Sequence, residues 1–252
     1  MRIEYVGERR YARFERLCGQ AGLVHAFATR PMDVSPRNGP GQEHRAQQRA
    51  TFAEDWGLDP DALRICQQIH EPNLVVVDRT TPTGLLPRCD GAATDVPGLP
   101  LMTFSADCPL VLVYDPVRPA VGMVHASWRC TVALAVRRLV ELMETAFASQ
   151  PADLLAGIGP GAGPCCYEVQ TDVYEAAATL TDRDRCFRRD AGRMYFDLWQ
   201  ANRDQLAEAG VPPEQIESAN TCTLCHNDVF FSYRREGTAC GHFGLLAALA
   251  PA

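Results

Sequence analysis

The sequence predicts an α/β or α+β fold in a single domain. Three observations carry that reading. Apolar runs of strand length alternate with segments of helical spacing along the chain. Apolar residues make up 46% of the 252 residues, enough to bury a sizeable core. No boundary linker and no repeat interrupts the pattern, so residues 1–252 read as one domain.

The elements follow in order. Residues 22–29, Gly-Leu-Val-His-Ala-Phe-Ala-Thr, read as a strand. The polar, Pro/Gly-rich segment 31–43 is a loop long enough to act as a lid. Residues 42–56 read as a helix ending at Gly57. Short strands at 63–69 and 74–78 flank His70-Glu-Pro72, and 79–98 is loop-rich. Residues 131–149 form an amphipathic helix, with Val132, Leu134, Ala135, Val136, Leu139, Val140, Leu142 and Met143 at helical spacing. A strand at 154–158 runs into a glycine-rich turn, and 169–180 is helical. Asp197 is an N-cap for a helix that stops at Gly210. Residues 216–220 and 229–233 read as late strands.

Two apolar runs are the most informative. Ser105-Ala-Asp-Cys-Pro-Leu-Val-Leu-Val-Tyr-Asp115 and Pro119-Ala-Val-Gly-Met-Val-His-Ala-Ser-Trp-Arg129 each read as a buried strand. The link between them is a turn by composition, so they predict a hairpin reversing near Val117. Cys108 then lies across from His125, within one residue of register, with Cα atoms about 4.5–5.5 Å apart. A thiol beside an imidazole suits a metal site, or a cysteine nucleophile with its base. His70 adds a second imidazole from a distant segment; the plain alternative is a buried cysteine and two unrelated histidines.

Charge and cysteine content narrow the class. A net charge of −7 argues against wrapping a nucleic acid, but not against a small phosphorylated substrate held by a few arginines. The N-terminus has no apolar signal region, and no run approaches the roughly 18 apolar residues that span a bilayer. A cytoplasmic protein without membrane partners is expected. There, eleven cysteines read as free thiols, metal ligands or catalytic groups rather than disulfides.

Three further motifs carry alternatives. In His125-Ala-Ser-Trp-Arg-Cys130 a helix N-terminus can hold an anion, with Arg129 adding a bidentate phosphate contact. Otherwise Arg129 is a surface charge and Trp128 a core plug. Gly157-Ile-Gly-Pro-Gly-Ala-Gly163 lacks the Walker A lysine and reads as a tight turn or a substrate-facing loop. Cys222-Thr-Leu-Cys-His226 matches the haem-attachment spacing, but a turn is the simpler reading. A second zinc site there finds only Cys240 and His242 as nearby partners. His25 reads as core and His44 as solvated, while Arg30 follows a strand directly and can point into a site.

Taken together and in order, several segments resemble a known family. They are Gln68-x-His70, Cys89-Asp-Gly91 with Thr94, Asp107-Cys-Pro109, His125-Ala-x-Trp-Arg129, Gly159-Pro160 with Cys166-Tyr-Glu-Val169, Phe196-Asp-Leu198, Cys222-Thr223 and Phe230-Phe-Ser-Tyr-Arg234. The set resembles the YfiH-like, laccase-domain family, also called the polyphenol oxidase or purine nucleoside phosphorylase family. The likeness runs from about Gly22 to about Arg235.

The resemblance implies a single domain of α/β/β/α layers with mixed sheets, a fold shared with cysteine-hydrolase-like domains. It implies a zinc site at His70, Cys108 and His125, with copper as an alternative metal. It implies phosphorolysis of adenosine and inosine to free base and ribose 1-phosphate, with adenosine deamination. The partners are then a small-molecule nucleoside and phosphate. In that reading Arg129, Arg30 and Gln68 contact substrate, and Asp107 moves a proton or orients a ligand. Other family assignments are copper-dependent phenol oxidation and amidase-type editing of a peptidoglycan precursor, with Cys108 as nucleophile and His125 as base. A relative that binds nucleosides without turnover is a further alternative.

This chain departs from the family pattern. His-Ala-Gly-Trp-Arg-Gly reads here as His125-Ala-Ser-Trp-Arg-Cys130, so two glycines are replaced. If the backbone there needs positive φ, Ser127 and Cys130 strain it. Glu71 stands where a small residue is usual, and 29–35 lacks the common Gly-Gly.

Overall fold

A computed structural model describes residues 1–251. Two large sheets pack face to face. The first runs, in spatial order, Arg2–Val6, Arg9–Arg13, Leu23–Ala28, Phe243–Leu249, Leu101–Ser105, Arg64–Cys66, Gly84–Leu86. The second runs Ile216–Ser218, Leu155–Ile158, Leu110–Asp115, Ala120–His125, Gly91–Thr94, Leu74–Val76. Both mix parallel and antiparallel pairs.

Strand alternation sorts the side chains into layers. Leu110, Leu112 and Tyr114 face the first sheet and meet Phe27, Leu101, Phe243 and Leu245. Val111 and Val113 point the other way, onto Val136, Leu139, Val140 and Met143 of the helix Ala135–Phe147. On the far side of the first sheet, Ala26, Ala28, Met102 and Leu246 pack on Phe52 and Ala53 of the helix Gln42–Asp55. The arrangement is helix, sheet, sheet, helix.

The predicted strand over 22–29 and the helix over 42–56 are present, as Leu23–Ala28 and Gln42–Asp55, with Gly57 left-handed at φ 69°. Asp197 caps the helix Leu198–Glu208 by accepting from Gln200 N at 3.0 Å, and Gly210 follows it at φ 95°. Other expectations are corrected. The helix over 131–149 is two, Trp128–Val132 and Ala135–Phe147, divided by Leu134 at φ 59°. The stretch 229–233 contains no strand and leads into the short helix Tyr233–Glu236. The loop-rich 79–98 holds two strands, Gly84–Leu86 and Gly91–Thr94.

The run 105–115 is not one strand. Leu101–Ser105 belongs to the first sheet and Leu110–Asp115 to the second, so residues 106–109 carry the chain across. The hairpin exists, but its register pairs His125 with Leu110. Cys108 therefore lies two positions beyond the paired residue, in the crossing loop.

Candidate metal centre and active site

The crossing loop brings Cys108 to the site by a route that strand pairing does not supply. Asp107 holds φ at 111°, a region sparsely populated outside glycine. Three bonds keep it there. Thr223 Oγ1 donates to Asp107 Oδ1 at 2.6 Å, Arg234 N donates to Oδ2 at 2.7 Å, and Ala162 N donates to the Asp107 carbonyl at 2.6 Å. The glycine-rich turn backs this loop. A Cβ on Gly161 would lie 2.8 Å from the Asp107 carbonyl oxygen and from Pro109 Cγ. The glycines are thus required by close packing behind the site, and the turn does not line the cavity.

His70 and His125 are organised by one carboxylate. Asp90, fully buried, accepts from the backbone N–H groups of Ile69, His70 and Glu71 at 2.8, 3.1 and 3.2 Å. Its Oδ2 also meets His125 Nδ1 at 2.9 Å. The backbone bonds hold His70 in the left-handed region at φ 60°. The two imidazole rings stand edge to face, centroids 4.9 Å apart. Ligand atoms of His70, Cys108 and His125 all lie within 4.8 Å of one another. With Nδ1 engaged by Asp90, His125 keeps Nε2 for the cavity. Two imidazoles and a thiol, one imidazole oriented by a carboxylate, are a donor set that fits a zinc or copper ion.

The three donors sit on a cavity of about 430 Å³. Its walls include Phe104, Tyr167, Tyr233 and His242, with Arg37 and Arg234 as the cationic groups. Burial lowers the pKa of His242 to about 4, with Arg37 adding to the effect, so its ring is neutral. Burial pushes Tyr167 well above the ordinary phenol range, which keeps its hydroxyl a donor. Desolvation lowers the His70 pKa, helped by His125, leaving an uncharged ring suited to ligation. Burial opposes the Asp90 carboxylate, but the His125 bond and the backbone N–H groups outweigh it and lower its pKa. Burial and the neighbouring Asp107 push the Cys108 thiol far up.

Of the remaining sequence candidates, Gln68 and Asp107 line the cavity and Arg30 and Arg129 do not. Gln68 lines the cavity, but its Oε1 accepts from Thr103 Oγ1 and Phe104 N, both at 3.1 Å, and its Nε2 donates to Phe104 O at 2.8 Å. It shapes the wall. Arg30 pairs with Glu236 and lies 4.1 Å over the Phe231 ring, away from the cavity. Arg129 is exposed and stacks 4.3 Å over Trp128, outside the cavity lining. Asp107 uses both carboxylate oxygens to anchor the loop, a positioning arrangement.

The helix N-terminus after His125 already carries a side-chain cap. The helix after His125 has five residues, and Ser127 caps it through its own hydroxyl, which accepts from Cys130 N at 3.2 Å. Ser127 sits at φ −59°, and Cys130 is helical with its thiol 3.6 Å from Asp90 Oδ2. Neither family glycine is needed for positive φ here, so both replacements fit without backbone strain.

Sequence reasoning missed Asp90, Arg37, Tyr167, Arg234 and His242 as site residues. Asp90, Tyr167 and Arg234 were visible as parts of quoted motifs. Arg37, in a polar loop, carried no signal at all.

Residues 19–250 match the family described as multi-copper polyphenol oxidoreductase laccase. The chain belongs to this family. A purine nucleoside phosphorylase of Bacteroides thetaiotaomicron is 32% identical over 95% of this chain and 96% of that protein. YlmD from Geobacillus stearothermophilus is similar in structure, with a TM-score of 0.86, 26% identity and 98% of both chains covered. The Bacillus licheniformis protein YfiH gives a TM-score of 0.84 at 29% identity, over 90% of this chain and 92% of that one. The family likeness read from motif order is therefore correct, as is the mixed α/β fold. A laccase-like family implies a metal, and this chain has His, Cys and Asp groups able to hold one. Among the described residues no helix is long and apolar enough to cross a membrane.

Proposed function

We propose that this chain is a zinc-dependent purine nucleoside phosphorylase that also deaminates adenosine. The convergence of His70, Cys108 and His125 on one cavity, with Asp90 bonded behind His125, is the observation that carries this reading. The relatives named purine nucleoside phosphorylase supply the reaction class.

His70, Cys108 and His125 hold the ion. When bound, zinc supplies a Lewis acid and a water of lowered pKa. Asp90 fixes the tautomer and orientation of His125 and favours the metal-free nitrogen as donor. The rings of Phe104, Tyr167 and Tyr233 offer flat apolar faces to a purine. Arg37 and Arg234 present guanidinium groups to phosphate and ribose oxygens. The Tyr167 hydroxyl, held protonated, donates to substrate oxygen or nitrogen.

The cysteine-hydrolase alternative fits this site less well. A cysteine nucleophile needs only His125 as its base and leaves His70 without a role, whereas a metal uses all three donors.

Incubation with adenosine and phosphate tests the proposal. Adenine, hypoxanthine and ribose 1-phosphate should form, and Cys108→Ala should reduce their formation at least 100-fold, as expected for loss of a metal ligand. Product formed equally by the variant would overturn it.

A further inference from the structure

The Cys222-Thr-Leu-Cys225 segment takes no part in the cavity, yet it does not stand alone. The fold sets it against Cys165-Cys166 at the end of the glycine-rich turn. The four sulfurs all lie within 4.8 Å of one another. Cys165 and Cys225 Sγ are 3.8 Å apart, and Cys166 and Cys225 Sγ are 3.6 Å apart. All four are free thiols. A tetrahedral centre with metal–sulfur bonds of about 2.3 Å sets its sulfurs about 3.8 Å apart.

The surroundings suit a charged thiolate group. Gly163 N donates to Cys222 Sγ at 3.4 Å. Arg188 donates to the Pro164 carbonyl from Nε at 3.3 Å and Nη2 at 3.2 Å. Arg235 Nη1 donates to the Leu224 carbonyl at 2.6 Å. Each cysteine-bearing loop therefore carries a guanidinium against it, and four thiolates around a divalent cation have a net charge of −2. The loops are also joined directly. Gly161 N donates to Thr221 O at 3.2 Å, and Thr223 N donates to Gly161 O at 3.0 Å.

We propose that Cys165, Cys166, Cys222 and Cys225 form a second metal site, a closed tetrathiolate zinc centre separate from the one in the cavity. Four soft thiolate donors at tetrahedral spacing, with no position left open, suit zinc in a structural role. The partners considered from sequence do not join it. His242 lines the cavity, and Cys240 is buried elsewhere, where its carbonyl accepts from Arg37. Binding releases the thiol protons to solvent, which reaches the exposed Cys165 and Cys225.

The centre would brace the active site from behind. Thr223, next to Cys222, donates to the Asp107 carboxylate, and Ala162, in the same turn as Cys165, donates to the Asp107 carbonyl. One ion thus ties together two of the three anchors of the loop that carries Cys108.

The test uses Cys108→Ala, which removes a ligand of the cavity site, so that zinc found there reports on the second site alone. The protein is purified under reductant without added metal and examined by native mass spectrometry and elemental analysis. About one zinc per chain should remain, and Cys165→Ser with Cys225→Ser should remove it. Cobalt exchange into Cys108→Ala needs no further substitution and should give the intense sulfur-to-cobalt bands of a tetrahedral tetrathiolate. A metal-free Cys108→Ala protein, zinc content unchanged by the two serine substitutions, or a cobalt spectrum without those bands would each overturn the proposal.

Discussion

Asp90 organises more of the site than any metal-ligand candidate does. Its carboxylate accepts from three successive backbone N–H groups around His70 and also holds His125. Replacing it by asparagine leaves the shape but introduces an N–H₂ group where an acceptor is needed. Asp90→Asn should weaken zinc binding about 10–100-fold, with a similar loss in kcat/KM. Competition with a chromophoric chelator measures the first quantity, and wild-type affinity in the variant would refute the orienting role. The residue-scale reading of Ser127 and Cys130 changes in the structure. Both replace family glycines, yet one caps a helix and the other bonds to Asp90.

At the scale of elements, the site depends on the loop that crosses between the sheets. Its conformation is imposed by neighbours, above all the glycine-rich turn. Gly161→Ala places a Cβ 2.8 Å from the Asp107 carbonyl oxygen and Pro109 Cγ, so backbone must move. The expected cost is about 1–3 kcal/mol of stability, read by urea unfolding. Activity should fall more than stability alone explains, because the shift moves Cys108. A variant with full activity and unchanged stability would show that the turn does not position the loop.

Across the whole molecule, buried neutral histidines contribute to acid sensitivity. Burial lowers His25 to about 3 and His242 to about 4, each with help from a nearby arginine. Phe14 N donates to His25 Nε2 at 3.2 Å, which requires the neutral ring. Unfolded histidine titrates near 6.5, so below that pH the unfolded chain binds protons that the native fold refuses. This contribution is fully present above about pH 6.5 and is lost as pH falls toward the folded values. Each of the two residues should cost about 1.4 kcal/mol at about pH 5.5. Urea unfolding across that range checks the slope. Flat stability from pH 7 to 5 would contradict both shifted values.

Local pattern made much of this legible. The helix over 42–56, the Asp197 cap and the strand over 22–29 were readable because periodicity and capping are local chemistry. The central strand Phe243–Leu249 was not read, although every residue in it is buried. A continuous apolar run of that length has no period to distinguish strand from helix. The strand over 229–233 failed for the converse reason. Its aromatic residues suggest strand, but Ser232 caps a helix by accepting from Arg235 N.

By itself the sequence determined the alternation of elements and, through the order of its motifs, the family; it also named His70, Cys108 and His125, which the fold brings together. Those follow from residue types in a fixed order. Only the tertiary structure decided how the donors meet. Hairpin register would leave Cys108 two positions out of line with His125. The passage of the chain between two sheets, anchored at Asp107, brings the thiol back. The same is true of the four outlying cysteines, which are two distant pairs in the sequence and one cluster in the fold. Contacts between segments nearly 60 residues apart depend on packing, and packing leaves no mark on local pattern.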